Sequence, residues 1–187
     1  MNYLKLTRLL FEGICKESFF GGPMQKEREA VNKKLNDEGK DYFPYIPIDD
    51  QRIGLIIEDI MSTNPSLEDK SFMDIGCGVP IIPKIFDVLG CKKSVGLEYQ
   101  EEYVKKDHEG FLIQGDLLTY GFGDYDYLYS YNPIRDGKLM SKGLQNIMDT
   151  MKPGAIFYFV QACSIDPKVM EKFTRATKGY STYKFVK

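Results

Sequence analysis

Residues Ser71 to Gly78, SFMDIGCG, constrain this chain more than any other stretch. Phe72, Met73 and Ile75 make a short apolar strand that stops on an acid, Asp74, within the run Asp-Ile-Gly-Cys-Gly. Gly76 and Gly78, two apart, let the backbone turn sharply and approach a ligand with no Cβ in the way. Pro80 to Leu89 then reads as a helix, with Pro80 and Pro83 in or near its first turn, where a missing N–H is tolerated. Strand, glycine turn and helix start together form a ligand cradle. A dinucleotide site would offer that helix start to a pyrophosphate. A carboxylate at the strand's end suits instead a ligand with cationic groups or hydroxyl donors.

The segments on either side repeat this alternation. Leu6, Leu9 and Leu10 share one face of a short amphipathic helix before the Gly21-Gly22-Pro23 break, and Pro23 to Glu38 reads as a solvated, charge-rich helix closed by Gly39. These elements give an N-terminal helical extension over residues 1–45, a lid in its sharper reading, ahead of a ligand-binding domain over 46–187. Asp49 or Asp50 caps a helix carrying Ile53, Ile56, Ile57, Ile60 and Met61 at helical spacing. Beyond the glycine turn, Ser94 to Leu97, Phe111 to Gln114, Tyr125 to Tyr131 and Ala155 to Val160 read as strands. Helices fall over Gln100 to Lys106, from about Lys138, and over Pro167 to Ala176, and Ser181 to Val186 is a terminal strand. This order predicts an α/β fold, a doubly wound and mostly parallel sheet of six or seven strands with helices on both faces.

In such a sheet, ligands bind beyond the carboxyl ends of the strands. Asp74, Glu98 and Asp116 fall at three successive strand ends. With DIGCG at 74–78, GLEY at 96–99, QGDLL at 114–118, YDYLYSYNPI at 125–134 and LQNIMDTMKPGAIFYF at 144–159, the chain resembles the class I S-adenosylmethionine-dependent methyltransferases over roughly Asp49 to Val160. The resemblance implies the fold and S-adenosyl-L-methionine (SAM) as cofactor; no metal is expected, the four cysteines lacking C-x-x-C spacing. It implies that Asp74, Gly76, Cys77 and Gly78 border the amino-acid end of SAM. Glu98 would accept from the ribose hydroxyls, Asp116 from the adenine amino group, with Tyr99 and Leu117 packing on the base. Two departures stand out: Pro80 replaces the third glycine of the family's D-x-G-x-G-x-G, and only one strand of the usual C-terminal hairpin is legible.

The end of the fourth strand is where an acceptor would meet the methyl group. Tyr131-Asn132-Pro133-Ile134 matches in part the Asn-Pro-Pro-aromatic run of amino-methyltransferases, so Asn132 is a candidate for orienting an amine beside the cofactor and Tyr131 for stacking on it. His108 reads as a solvated surface residue, and Arg135 and Asp136 either meet an acceptor or start the next helix. At 187 residues and 43% hydrophobic, the chain suits one domain. Its net charge of −2 argues against a dedicated nucleic-acid binder and leaves room for a local basic groove, so a protein lysine or a small molecule is the favoured acceptor class. Four scattered cysteines and no apolar run of membrane-spanning length predict a cytoplasmic protein with reduced thiols. The competing readings are a non-catalytic binding subunit that keeps the fold and, from another enzyme class, a nicotinamide-dependent oxidoreductase.

Overall fold

The computed structural model describes residue 9 and residues 50–187 apart from 162 and 178–180. The expected N-terminal extension and lid over 1–45 lie outside the described residues, Leu9 aside. Seven strands form one sheet in the order β3-β2-β1-β4-β5-β7-β6. They are β1 (Ser71–Ile75), β2 (Lys93–Glu98), β3 (Leu112–Gln114), β4 (Tyr127–Ser130), β5 (Ile156–Val160), β6 (Thr174–Arg175) and β7 (Thr182–Val186). The pairings from β3 through β5 are parallel, and β7 runs antiparallel to both β5 and β6. The helices are α1 (Asp50–Thr63), α2 (Ile81–Val88), α3 (Glu101–Lys106), α4 (Gly137–Thr150) and α5 (Pro167–Met170).

All five residues of β1 are buried because both faces of the sheet are covered there. On one face Phe72 stacks on Phe86 of α2 with ring centroids 3.7 Å apart, inside a cluster with the isoleucines of α1. On the other, Met73 and Ile75 pack with Met140, Leu144 and Ile147, the apolar stripe of α4. The far end of β1 is fastened by Asp126, whose Oδ2 accepts from the Ser71 N–H (2.9 Å) and hydroxyl (2.7 Å) while its Oδ1 pairs with Lys152 at 2.7 Å.

The C-terminal region departs from the expected helix over Pro167 to Ala176. α5 ends at Met170, and the chain turns into β6, the seventh strand that the alternation left open. Phe173 is the reason. Its ring lies 5.9 Å from Phe157, 6.2 Å from Phe159 and 5.8 Å from Phe185, and burying it there outweighs the modest gain of another helical turn. Thr174 and Arg175 then pair with Lys184 and Tyr183.

Candidate active site

The strand order places the switch of winding direction between β1 and β4, where the chain has gone outward through β2 and β3 and returns on the other side. The glycine turn sits there. Gly76 has φ +73°, and a Cβ on it would fall 2.3 Å from Cβ and 2.8 Å from Cγ of Pro133, so only glycine lets the turn after β1 lie against the loop after β4. The N–H groups of Gly76 and Cys77 both donate to the Leu97 carbonyl, at 2.8 and 3.1 Å, fastening the turn to β2 as well. α2 begins directly after Pro80, which occupies its N-cap without a side-chain hydrogen bond.

Register explains how the first acids meet. Asp74 pairs with Gly96 across β1 and β2, and Glu98 is two residues further along β2, so Asp74, Gly96 and Glu98 share one face. Cys77 lies over Gly96: a Cβ there would be 2.5 Å from its Sγ. The thiol therefore sits beside both carboxyls, and it donates to the Val79 carbonyl at 3.7 Å. Burial pushes the Asp74 carboxyl up to about 7; the Cys77 thiol pulls it down and the Glu98 charge raises it further. Burial likewise raises the Cys77 thiol well above its ordinary value, with Asp74 adding to the effect. Glu98 accepts from the Gly78 N–H at Oε2 and the Gln100 N–H at Oε1, both at 2.7 Å. Its own value is raised by burial, against the pull of these backbone donors.

Beside this cluster, a hollow of about 350 Å³ opens at the ends of β2 and β3, lined by Tyr99, Gln100, Glu102, Gln114, Gly115 and Asp116 among others. Tyr99 is half exposed at its rim. Asp116 uses Oδ1 to accept from the Leu118 N–H at 2.9 Å, which holds the turn after β3. Leu117 is not beside it: the side chain is buried against α4, where a Cβ on Gly143 would fall 1.9 Å from its Cδ1. Gln100 is a residue that sequence reasoning missed. Its Nε2 is buried with no hydrogen-bond partner among the described residues, and it lines the hollow. Its position directly after the strand-end Glu98-Tyr99 is the signal that could have found it.

Across Pro133, Asn132 is buried in a left-handed conformation (φ +39°), its Nδ2 donating to the Ile134 carbonyl at 2.9 Å and its Oδ1 accepting from the Cys163 thiol at 3.1 Å. The side chain thus holds the loop after β4 in shape. Tyr131 is half buried, with the Arg52 guanidinium over its ring at 5.4 Å. Asp136 starts α4, accepting from the Leu139 N–H at 2.7 Å, and His108 is exposed. Cys77, Cys91 and Cys163 are free thiols, no group of His, Cys, Asp and Glu among the described residues is disposed to hold a metal ion, and no described helix is long and apolar enough to cross a membrane.

The structure thus brings the predicted residues into three adjoining groups rather than one. Tyr99 and Asp116 share the hollow, Asp74, Cys77, Gly78 and Glu98 form the buried cluster next to it, and Tyr131 and Asn132 stand across the Gly76–Pro133 contact.

No protein-family model and no curated protein matches the chain. Solved structures do. An S-adenosylmethionine-dependent methyltransferase from Mesorhizobium loti aligns at 16% identity over 57% of this chain and 52% of its own, with a TM-score of 0.44. A SAM-bound amino pentose methyltransferase from Micromonospora echinaspora aligns at 16% over 57% and 48%, with a TM-score of 0.46. The chain spans about half the length of these two proteins. An RNA methyltransferase from Salinibacter ruber, in complex with S-adenosyl-L-homocysteine, aligns at 15% over 75% of this chain and 92% of its own, with a TM-score of 0.53. Strand order, the antiparallel β7 and this last likeness agree: the chain has the α/β fold of the class I SAM-dependent methyltransferases.

Proposed function

We propose that this protein binds SAM along the ends of β3, β2 and β1 and transfers its methyl group to an acceptor held at the loop after β4, with an amine nitrogen as the acceptor atom. The observation that carries this reading is the packing of Gly76 against Pro133, which sets the cofactor cradle and the acceptor loop in direct contact at the sheet's switch point.

The residues suit the group. Each Glu98 oxygen accepts a backbone N–H and keeps a lone pair for a ribose hydroxyl. Asp116 and the partnerless Gln100 amide offer an acceptor and a donor to a purine edge, and Tyr99 offers a ring to its face. Asp74, close to another carboxyl and to a thiol, gains from a cationic ligand, whose ammonium would favour its ionised form. SAM supplies an already activated methyl group, so the protein's task is alignment and exclusion of water. Asn132 fixes the acceptor loop, and Tyr131 offers its ring to the acceptor.

Isothermal titration with SAM, S-adenosylhomocysteine and NAD tests the reading. The first two bind, and Glu98→Ala weakens both by roughly 2 kcal/mol, the scale of a lost charged acceptor. Binding of NAD in their place would replace the reading with the oxidoreductase. Binding of SAM with no labelled-methyl transfer to any fraction of a cell extract would leave a binding subunit.

A further inference from the structure

The small net charge of this chain conceals a division. Residues 50–130 hold seven Lys and Arg against fifteen Asp and Glu, a net of −8, whereas residues 131–187 hold ten against four, a net of +6. The acidic part builds the cradle proposed for a cationic cofactor. The basic part begins at the acceptor loop.

α4 shows that this is not an even scatter. Lys138 and Lys142 stand four apart on one face of α4, Arg135 lies just before the helix, ahead of its N-cap Asp136, and all three are exposed. Lys138 lies in the first turn of α4, which contains no acid, and the last turn contains no base. A cation in the first turn runs against the helix dipole, even with Asp136 at the N-cap. Like charges at Lys138 and Lys142, four apart, are also mutually unfavourable. α5 and the turn after it add two more cations, Lys168 and Lys172, to the same side. The Asp166 N–H donates to Ser141 Oγ at 3.0 Å, and Lys172 Nζ reaches Gln145 Oε1 at 2.8 Å, so α5 lies along α4 with Lys168 and Lys172 exposed. Neither Lys138, Lys142 nor Lys168 makes an ion pair within the described residues. Of the nearby acids, Asp136 and Asp166 are engaged in capping helices and Glu171 is exposed.

We propose that the ridge formed by Lys138 and Lys142 of α4 and Lys168 of α5, with Arg135 just before α4 and Lys172 just after α5, binds the phosphate backbone of a nucleic-acid strand, and that this strand is the acceptor. This names the substrate class of the site described above and rests on that reading. It replaces the preference for a protein or small molecule, which was drawn from the whole chain's lack of a basic excess. A nucleic acid is favoured over an acidic peptide by the other flank of the acceptor loop. There Tyr131 and the Arg52 guanidinium over its ring, both partly exposed, form an aromatic–cation stack that a base can extend, which an acidic peptide has no use for. Phosphates on the ridge would set the register, and a base would lie over Asn132–Pro133.

The test is fluorescence anisotropy of the full chain with a labelled twelve-nucleotide single-stranded RNA and its DNA twin, across roughly 50–300 mM KCl. Four phosphates neutralised predict a log–log salt slope of about −3, and the tighter of the two strands identifies the sugar. Lys138→Glu/Lys142→Glu should weaken binding at least about tenfold and flatten the slope. Lys168→Glu/Lys172→Glu does the same if the first double variant fails to fold. Lys105→Glu, on α3 in the acidic part, should leave it within about twofold. Absence of binding at the lowest salt, unchanged affinity in both double variants, or displacement by polyglutamate as effective as by unlabelled RNA would overturn the proposal. SAM titration runs alongside. RNA binding without SAM binding removes the methyltransferase reading and keeps the ridge, and SAM binding without RNA binding removes only the ridge.

Discussion

Gly76→Ala tests the contact on which the site depends. Two costs combine. An L-residue at φ +73° carries about 1–2 kcal/mol of backbone strain. The new methyl would lie 2.3 Å from Pro133 Cβ, on a ring bound to its own backbone that cannot swing away, and such overpacking costs typically about 1–3 kcal/mol. The total of about 2–5 kcal/mol is a large part of a domain's stability, which is commonly about 5–15 kcal/mol. Gly90→Ala supplies the control: Gly90 has φ +88°, but nothing lies within 4 Å of the place a Cβ would take, which leaves backbone strain alone. Urea denaturation at equal m should therefore show Gly76→Ala losing about 1–3 kcal/mol more than Gly90→Ala. In a double-mutant cycle, Pro133→Gly should recover that difference. Equal losses at the two glycines, or a cycle without coupling, would show that the turn after β1 and the loop after β4 are not in contact.

Other outcomes follow from the buried groups. Asp74 is raised from 3.8 to about 7, so between those values the folded state holds more protons than the unfolded one and stability falls as pH rises through that window. Asp74→Asn should accordingly stabilise the ligand-free protein by roughly 2–4 kcal/mol at pH 8 and by less than about 1 kcal/mol at pH 4, compared by urea midpoints; an equal effect at both pH values contradicts the assignment. Tyr158, raised by burial and by the Asp59 carboxylate, donates to Asp59 Oδ2 at 2.5 Å, and Lys184 reaches the same oxygen at 2.7 Å. Tyr158→Phe should cost about 1–2 kcal/mol in thermal or urea unfolding, because it loosens the join between α1 and the β5–β7 edge; a neutral substitution would mean that Lys184 alone holds it.

The alternation of strands and helices, the glycine turn and the positions of Asp74, Glu98 and Asp116 at strand ends were all legible in the chain, because each depends on neighbours within a few residues. Apolar periodicity selects the element, and glycine and proline punctuate it. What the chain did not disclose depends on residues far apart in it. Phe173 reads as part of a helix until Phe157, Phe159 and Phe185 surround it and convert the next residues into β6. Leu117 follows a strand-end acid and looks like a base-packing residue, yet the absence of a side chain at Gly143 opens a core position for it. Gly96 looks incidental until Cys77 is seen to occupy the space above it, between Asp74 and Glu98. Burial, register and the side on which a charge emerges are properties of packed pairs, and only the tertiary structure decides which residues are paired.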